Sequence, residues 1–195
     1  MGSTLLVVGR LRGRKERDAA AAYLAGASDA ALTSNARVAL LKAWNVAPTK
    51  VACLDALNEA STCAFVEHTA ALEGLKGFNE AMMRGRWRHL PYWIDSHWLP
   101  VRSNTTLIER DKNGWPSFFG SANGLLANLA DIAAASPHRL GTLPPHFELM
   151  RTNLRAFYAL ELDAFDETTT LQWVWRALFE AATLCVERNF PMSTG

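Results

Sequence analysis

Thr105-Thr106-Leu107-Ile108-Glu109-Arg110, then Asp111-Lys112-Asn113-Gly114, then Trp115-Pro116-Ser117-Phe118-Phe119, interrupts a chain whose apolar residues otherwise recur at helical spacing. Asn-Gly between two β-favouring runs is a hairpin signal, because the tight turns that match strand twist need positive φ, which Asn and Gly adopt most readily. Pro116 has no N–H to give a ladder, so the second strand is expected at an edge or very short.

On both sides of this turn the steps are three and four residues. Ser28 stands before Asp29 and a stripe at Leu32, Ala36, Leu40 and Ala43, which reads as an N-capped helix ending near Trp44 and Asn45. Thr49 is placed to cap the next, whose stripe runs Leu54, Leu57, Ser61, Phe65, His68, Leu72, Leu75, with Gly74 and Gly77 to end or bend it. After the hairpin, Ser121 or Asn123 opens a helix carrying Leu125, Leu126, Leu129 and Ile132, closed by Ser136-Pro137. Pro144 and Pro145 suit the first turn of another, with Phe147, Met150, Leu154 and Phe157 as its stripe. The last begins after Asp166; Leu171, Val174, Trp175, Leu178, Ala182 and Cys185 trace one face, and Trp173, Ala177 and Leu184 another. So broad an apolar surface belongs to a central helix, or to one that offers a second face to a partner. The alanine run at 19–22 simply favours helix. The fold expected is mainly α: one helical bundle over residues 1–195 with a short central β-hairpin, residues 1–14 being readable as a flexible N-terminal segment.

Composition suits a folded domain. Of 195 residues, 49% are hydrophobic and 20% charged, which excludes wholesale disorder. Leu5-Leu6-Val7-Val8 looks like a short leader core, but no positive residue precedes it and an arginine-rich stretch follows, so no secretion signal is expected. Leu6 stands where a myristoylation motif wants Ser or Thr, and no apolar run approaches a bilayer span. Cys53, Cys63 and Cys185 cannot all pair and form no Cys-x-x-Cys, which fits a reducing cytoplasm and small buried hydrophobes.

The most chemically loaded stretch is 84–98, where Arg84, Arg86, Arg88, His89 and His97 lie among Trp87, Tyr92, Trp93 and Trp98. This is the composition of a recognition surface, and equally of aromatic residues filling a core with arginines at its rim. His89, Asp95 and His97 form the best acid–base or metal candidate, but their spacing across Pro91 defines no coordination geometry, so no metal and no cofactor are expected. His68 lies on an apolar stripe and reads as a hydrogen-bonded core histidine. Gly120-Ser121-Ala122-Asn123-Gly124 fails the Gly-x-Ser-x-Gly template, since glycine directly precedes the serine and Asn123 stands where the second glycine belongs. Walker, Rossmann and zinc-helix motifs are absent. Charge is formally +1 but uneven, with basic clusters at Arg10–Arg17 and Arg84–Arg88 and an acidic one at Glu161, Asp163, Asp166 and Glu167. Near-neutrality argues against a nucleic-acid footprint, and solvated helix ends account for the clusters as readily as a charged partner does.

The turn Asp111-Lys112-Asn113-Gly114-Trp115-Pro116, followed by Gly120-Ser121 and the late Leu171-Gln172-Trp173-Val174-Trp175-Arg176 helix, resembles the small cytoplasmic immunity proteins encoded beside bacterial polymorphic toxins, over residues 90–192. The motifs are loose and single out no subfamily. The resemblance implies a protein that binds and neutralises a cognate toxin domain, and it carries over no binding residues.

Three classes stand beside one another: a protein-binding inhibitor, a small-molecule enzyme using the His89–His97 segment, and a nucleic-acid binder. The inhibitor is favoured because catalytic templates fail while interface material is plentiful. Its partner-binding candidates are Arg86, Trp87, Arg88, Trp93 and Trp98, with Glu161, Asp163 and Asp166 as a competing surface. Core tryptophans are the alternative reading of the first set.

Overall fold

The computed structural model describes residues 5–27, 29, 31–48, 52–55, 59–76, 85–90, 95–136 and 167–194. These residues form an α+β fold, which corrects the expectation of a helical bundle. Strands β1 (Leu5–Val8), β2 (Ala52–Asp55), β3 (Ser96–Leu99), β4 (Leu107–Arg110), β5 (Pro116–Ser121) and β6 (Met192–Thr194) make one sheet in the order β2-β1-β6-β3-β5-β4. Only β3 and β5 pair in parallel; every other pairing is antiparallel. The helices are α1 (Arg14–Gly26), α2 (Ser34–Val46), α3 (Glu59–Leu72), α4 (Ala122–Ala135) and α5 (Glu167–Arg188).

The sheet is covered on both faces, and that explains why its strands were hard to read. Leu6 and Val8 of β1, Trp98 of β3, Phe118 of β5 and Met192 of β6 join Phe65, Leu125, Leu129, Val174 and Leu178 in the core under α3, α4 and α5. Leu99 and Phe119, one residue further along their strands, turn to the opposite face and meet Tyr23, Leu24 and Trp44 from the side of α1 and α2. Successive strand residues point to opposite faces, so a strand buried on both faces reads as a continuous apolar run. Leu5–Val8 is such a run, and it forms an interior strand where a flexible segment was readable.

Two helix readings change with it. The stripe from Leu54 to Leu75 combines β2 with α3, two elements that happen to share apolar steps. The cap of α2 is Thr33, whose Oγ1 accepts from Ala36 N at 3.2 Å, and the helix starts at Ser34, not beside Ser28. The hairpin stands, with Glu109 opposite Ser117 and Arg110 opposite Pro116. Pro116, however, is the first residue of an interior strand, the one ladder position where a missing N–H costs nothing.

The remaining helix ends obey their sequence signals. Ser121 is both the last residue of β5 and the N-cap of α4, its Oγ accepting from Gly124 N at 3.0 Å and donating to Val101 O. Gly74 closes α3, where Leu75 N reaches Ala70 O. Asn189, at φ 55°, closes α5 in the same way, Phe190 N reaching Cys185 O. Helix α5 is the central one, with Leu171, Val174, Leu178, Ala182 and Cys185 all buried. The expected helix over Phe147–Phe157 lies outside the described residues. No helix among the described residues is long and apolar enough to cross a membrane.

Gly124 is set by a close approach. A Cβ built there would lie 2.3 Å from Cδ2 of His89, whose ring is buried against the first turn of α4. Gly124→Ala should therefore destabilise the protein by about 2 kcal/mol despite the better helix propensity of alanine. Urea unfolding of the purified variant measures this; equal or greater stability would show that the ring has room to move.

Candidate functional site

The loaded stretch divides between the two faces of the sheet. Trp98 is 0% exposed and packs edge-on against Phe118 at 6.0 Å, its Nε1 donating to His89 O at 2.8 Å. Trp87 is 2% exposed, and its Nε1 has no hydrogen-bond partner among the described residues. Both tryptophans are core, so they offer no recognition surface. Arg86 is exposed, ion-paired with Asp131 at 3.3 Å and set over the Trp87 ring, whereas Arg88 is spent on the carbonyls of Gly85 and Asn104. Trp93, Glu161, Asp163 and Asp166 lie outside the described residues.

His89 is structural. Its backbone N donates to Asn128 Oδ1 at 2.9 Å, and Asn128 Nδ2 returns a bond to Arg86 O, clamping residues 86–89 onto α4. Its Nδ1 accepts from Ser121 N at 3.2 Å, which requires an unprotonated nitrogen. Burial, helped by the neighbouring Arg88 charge, pushes the imidazole down to about 4. Gly120-Ser121-Ala122-Asn123-Gly124 thus has a structural purpose: Ser121 caps α4 while the flanking glycines leave room for the His89 and Phe118 rings.

Asp95 and His97 do meet, on the face of the sheet that α1 covers. His97 Nε2 donates to Asp95 Oδ1 at 3.1 Å, and its ring stacks on Phe119 with centroids 4.6 Å apart. Ser117 Oγ donates to the other carboxylate oxygen at 2.7 Å. Asp95 stands at φ 44° with its carbonyl accepting from Phe118 N, and the parallel pairing of β3 with β5 brings Ser117 alongside. The hydrogen bond from His97 first, then that from Ser117 and the charges of His97 and Lys15, hold the carboxyl at about 2 against the opposing effect of burial. The arrangement is not a nucleophile relay. Serine bonds the carboxylate instead of the imidazole, and the other imidazole nitrogen is buried with no partner among the described residues. Among the described residues no cluster of His, Cys, Asp or Glu is arranged to hold a metal ion.

These three residues floor a cavity of about 480 Å3 between α1 and the strands β3, β4 and β5. Arg14, Lys15, Glu16 and Asp18 of α1 and Glu109 of β4 complete its charged lining. At its rim Lys15 reaches Asp111 Oδ2 at 3.9 Å. Asp111 organises the hairpin tip: its Oδ1 accepts from Asn113 N at 2.8 Å and Trp115 N at 2.9 Å, its carbonyl accepts from Gly114 N, and its N donates to Trp115 O. Gly114 supplies the φ of 82° this turn needs. On this pinned tip Trp115 is 61% exposed. Trp115 was absent from the candidates drawn from sequence, although a tryptophan directly after Asn-Gly was the signal for it.

No protein-family model, curated protein or solved structure matches the chain.

The two shifted groups make stability pH-dependent in separate windows. His89 takes up a proton near 6.5 when unfolded but near 4 when folded, so stability should decline by an order of 3 kcal/mol as pH falls from 6.5 to 4. Asp95 contributes stability above its ordinary 3.8 that is lost as pH falls through about 2; with half its side chain exposed, about 1 kcal/mol is expected. Urea titrations across pH should lose the upper slope in His89→Asn and only the lower one in Asp95→Asn. An unchanged upper slope in His89→Asn would assign it to another group.

Proposed function

We propose that this is a cytoplasmic protein-binding inhibitor, an immunity protein that neutralises a cognate bacterial toxin domain, and that it binds through the β4–β5 hairpin tip. The observation that carries this reading is Trp115, a large aromatic residue left 61% exposed on a turn whose backbone is fixed by the Asp111 carboxylate. Tryptophan is among the residues that dominate binding energy at protein interfaces, and a turn already held in shape loses little entropy on docking. Ile108, 39% exposed on the adjoining strand, adds apolar area, and Arg110 and Lys112 add charge. The same turn carries the resemblance to immunity proteins. The exposure of Trp115 supports binding here, and the burial of Trp87 and Trp98 speaks against a surface there.

Co-expression with the product of a neighbouring gene, followed by co-purification and rescue of growth, tests the reading. Trp115→Ala should leave the circular dichroism spectrum and urea midpoint unchanged, because the side chain is exposed. It should weaken binding of the captured toxin by about 2 kcal/mol, roughly thirtyfold in Kd. Rescue and affinity equal to the wild type would reject this surface; the absence of any toxin-like neighbour would count against the inhibitor itself.

A further inference from the structure

The cavity beside the hairpin is lined by two cations, Arg14 and Lys15, against four carboxylates, Glu16, Asp18, Asp95 and Glu109. Arg14 is already engaged with Asp18 at 3.6 Å, and Lys15 leans out toward Asp111 at 3.9 Å. Glu109 has no ion pair among the described residues and, being opposite Ser117 in the hairpin, points to the same face as the cavity floor. Asp95 is fixed by two protein hydrogen bonds yet keeps half its side chain exposed, so its unused lone pairs face outward in a set orientation. His97 is 3% exposed, its Nε2 is committed to Asp95, and its buried Nδ1 has no hydrogen-bond partner among the described residues. The unspent polar groups that face the cavity are the carboxylate oxygens of Asp95 and Glu109, which are acceptors, and the net charge of the lining is negative. The complement of such a site is a cation rich in N–H donors.

We propose that this cavity receives a basic side chain, an arginine or a lysine, presented by the protein partner that docks on the hairpin. The assignment rests on the protein-binding reading above. Guanidinium and ammonium groups bring donors only, and their apolar stems suit the Phe119 wall. A protein source is favoured by position: the Lys15–Asp111 pair at the cavity rim shares its carboxylate with the turn that carries the exposed Trp115, so an aromatic contact and a socket for a charge lie at one edge of the fold. Lys15 is half-exposed and loosely held, and it yields the socket to the incoming cation.

The full chain, labelled with 15N, is titrated with Nα-acetyl-L-arginine methylamide and, in parallel, with the uncharged citrulline analogue. Saturable amide shifts confined to β3, β4, β5 and the first turns of α1 are expected with the arginine probe alone, at a Kd on the order of millimolar for so small a ligand. Glu109→Gln, a change at a half-buried residue without an ion pair, should weaken that binding about tenfold. Equal shifts with citrulline, no saturable shift, or unchanged binding to Glu109→Gln would overturn the proposal. Partner binding separates it from the reading beneath it. A captured toxin that binds Glu109→Gln as tightly as wild type but loses Trp115→Ala would overturn the socket and leave the inhibitor standing. Arginine-probe binding with no captured protein would overturn the inhibitor and, with it, the protein source of the cation.

Discussion

Met192, Ser193 and Thr194 pair with β1 on one side and β3 on the other, and these three residues make one sheet out of what would otherwise be two. Without them β1 and β2 form an isolated hairpin-like pair, and β3, β5 and β4 a separate triplet, each too small to hide its own edges. With them, Leu6, Trp98 and Met192 share one apolar surface, and α5 has a continuous floor on which to bury its length. The strand is held beyond its ladder as well: Thr194 Oγ1 accepts from Ser96 N at 2.8 Å, and Gly9 N donates to Pro191 O at 2.9 Å. Every other layer of the fold is laid against this junction.

That dependence also explains what the sequence could and could not disclose. The hairpin was legible because its register is local and its turn needs Asn113-Gly114; the Ser121 cap, the stop at Ser136 and the central α5 were legible because caps and stripes are written within a few adjacent residues. Strands β1, β2, β3 and β6 were not. Each is three or four residues long, too short for a period, and β3 is buried at every position, so alternation between apolar and polar is erased there. Leu6 finds its partner at Thr194, and no window of the chain contains both. Ser96-His97-Trp98, the end of the 84–98 stretch, has the composition of an interface; in the fold all three residues are buried.

The candidate site was half legible for a related reason. Asp95 and His97 lie two residues apart and were named together with His89, but the companion that completes their network is Ser117, delivered by the parallel pairing of β3 with β5. His89 went to the opposite face, where a backbone amide occupies its Nδ1. Sequence proximity grouped three titratable residues; the strand pleat separated them, since residues of one strand alternate in direction. The cavity itself depends on α1 lying across that face, which no motif announces.

The junction made by β6 fixes the order in which the chain can reach its final state. A strand that closes the sheet by pairing residue 6 with residue 194 is among the longest-range contacts the chain can make, and its loop-closure cost falls at the end of assembly. During synthesis β1 precedes β6 by most of the residues described, with one edge satisfied by β2 and the other open until residues 192–194 arrive. An unpaired apolar strand waiting that long is an invitation to foreign strands. Among the described residues, nothing before residue 192 covers that edge. The sheet is therefore finished from its middle, and β6 is what shields the open edge of β1 from foreign strands.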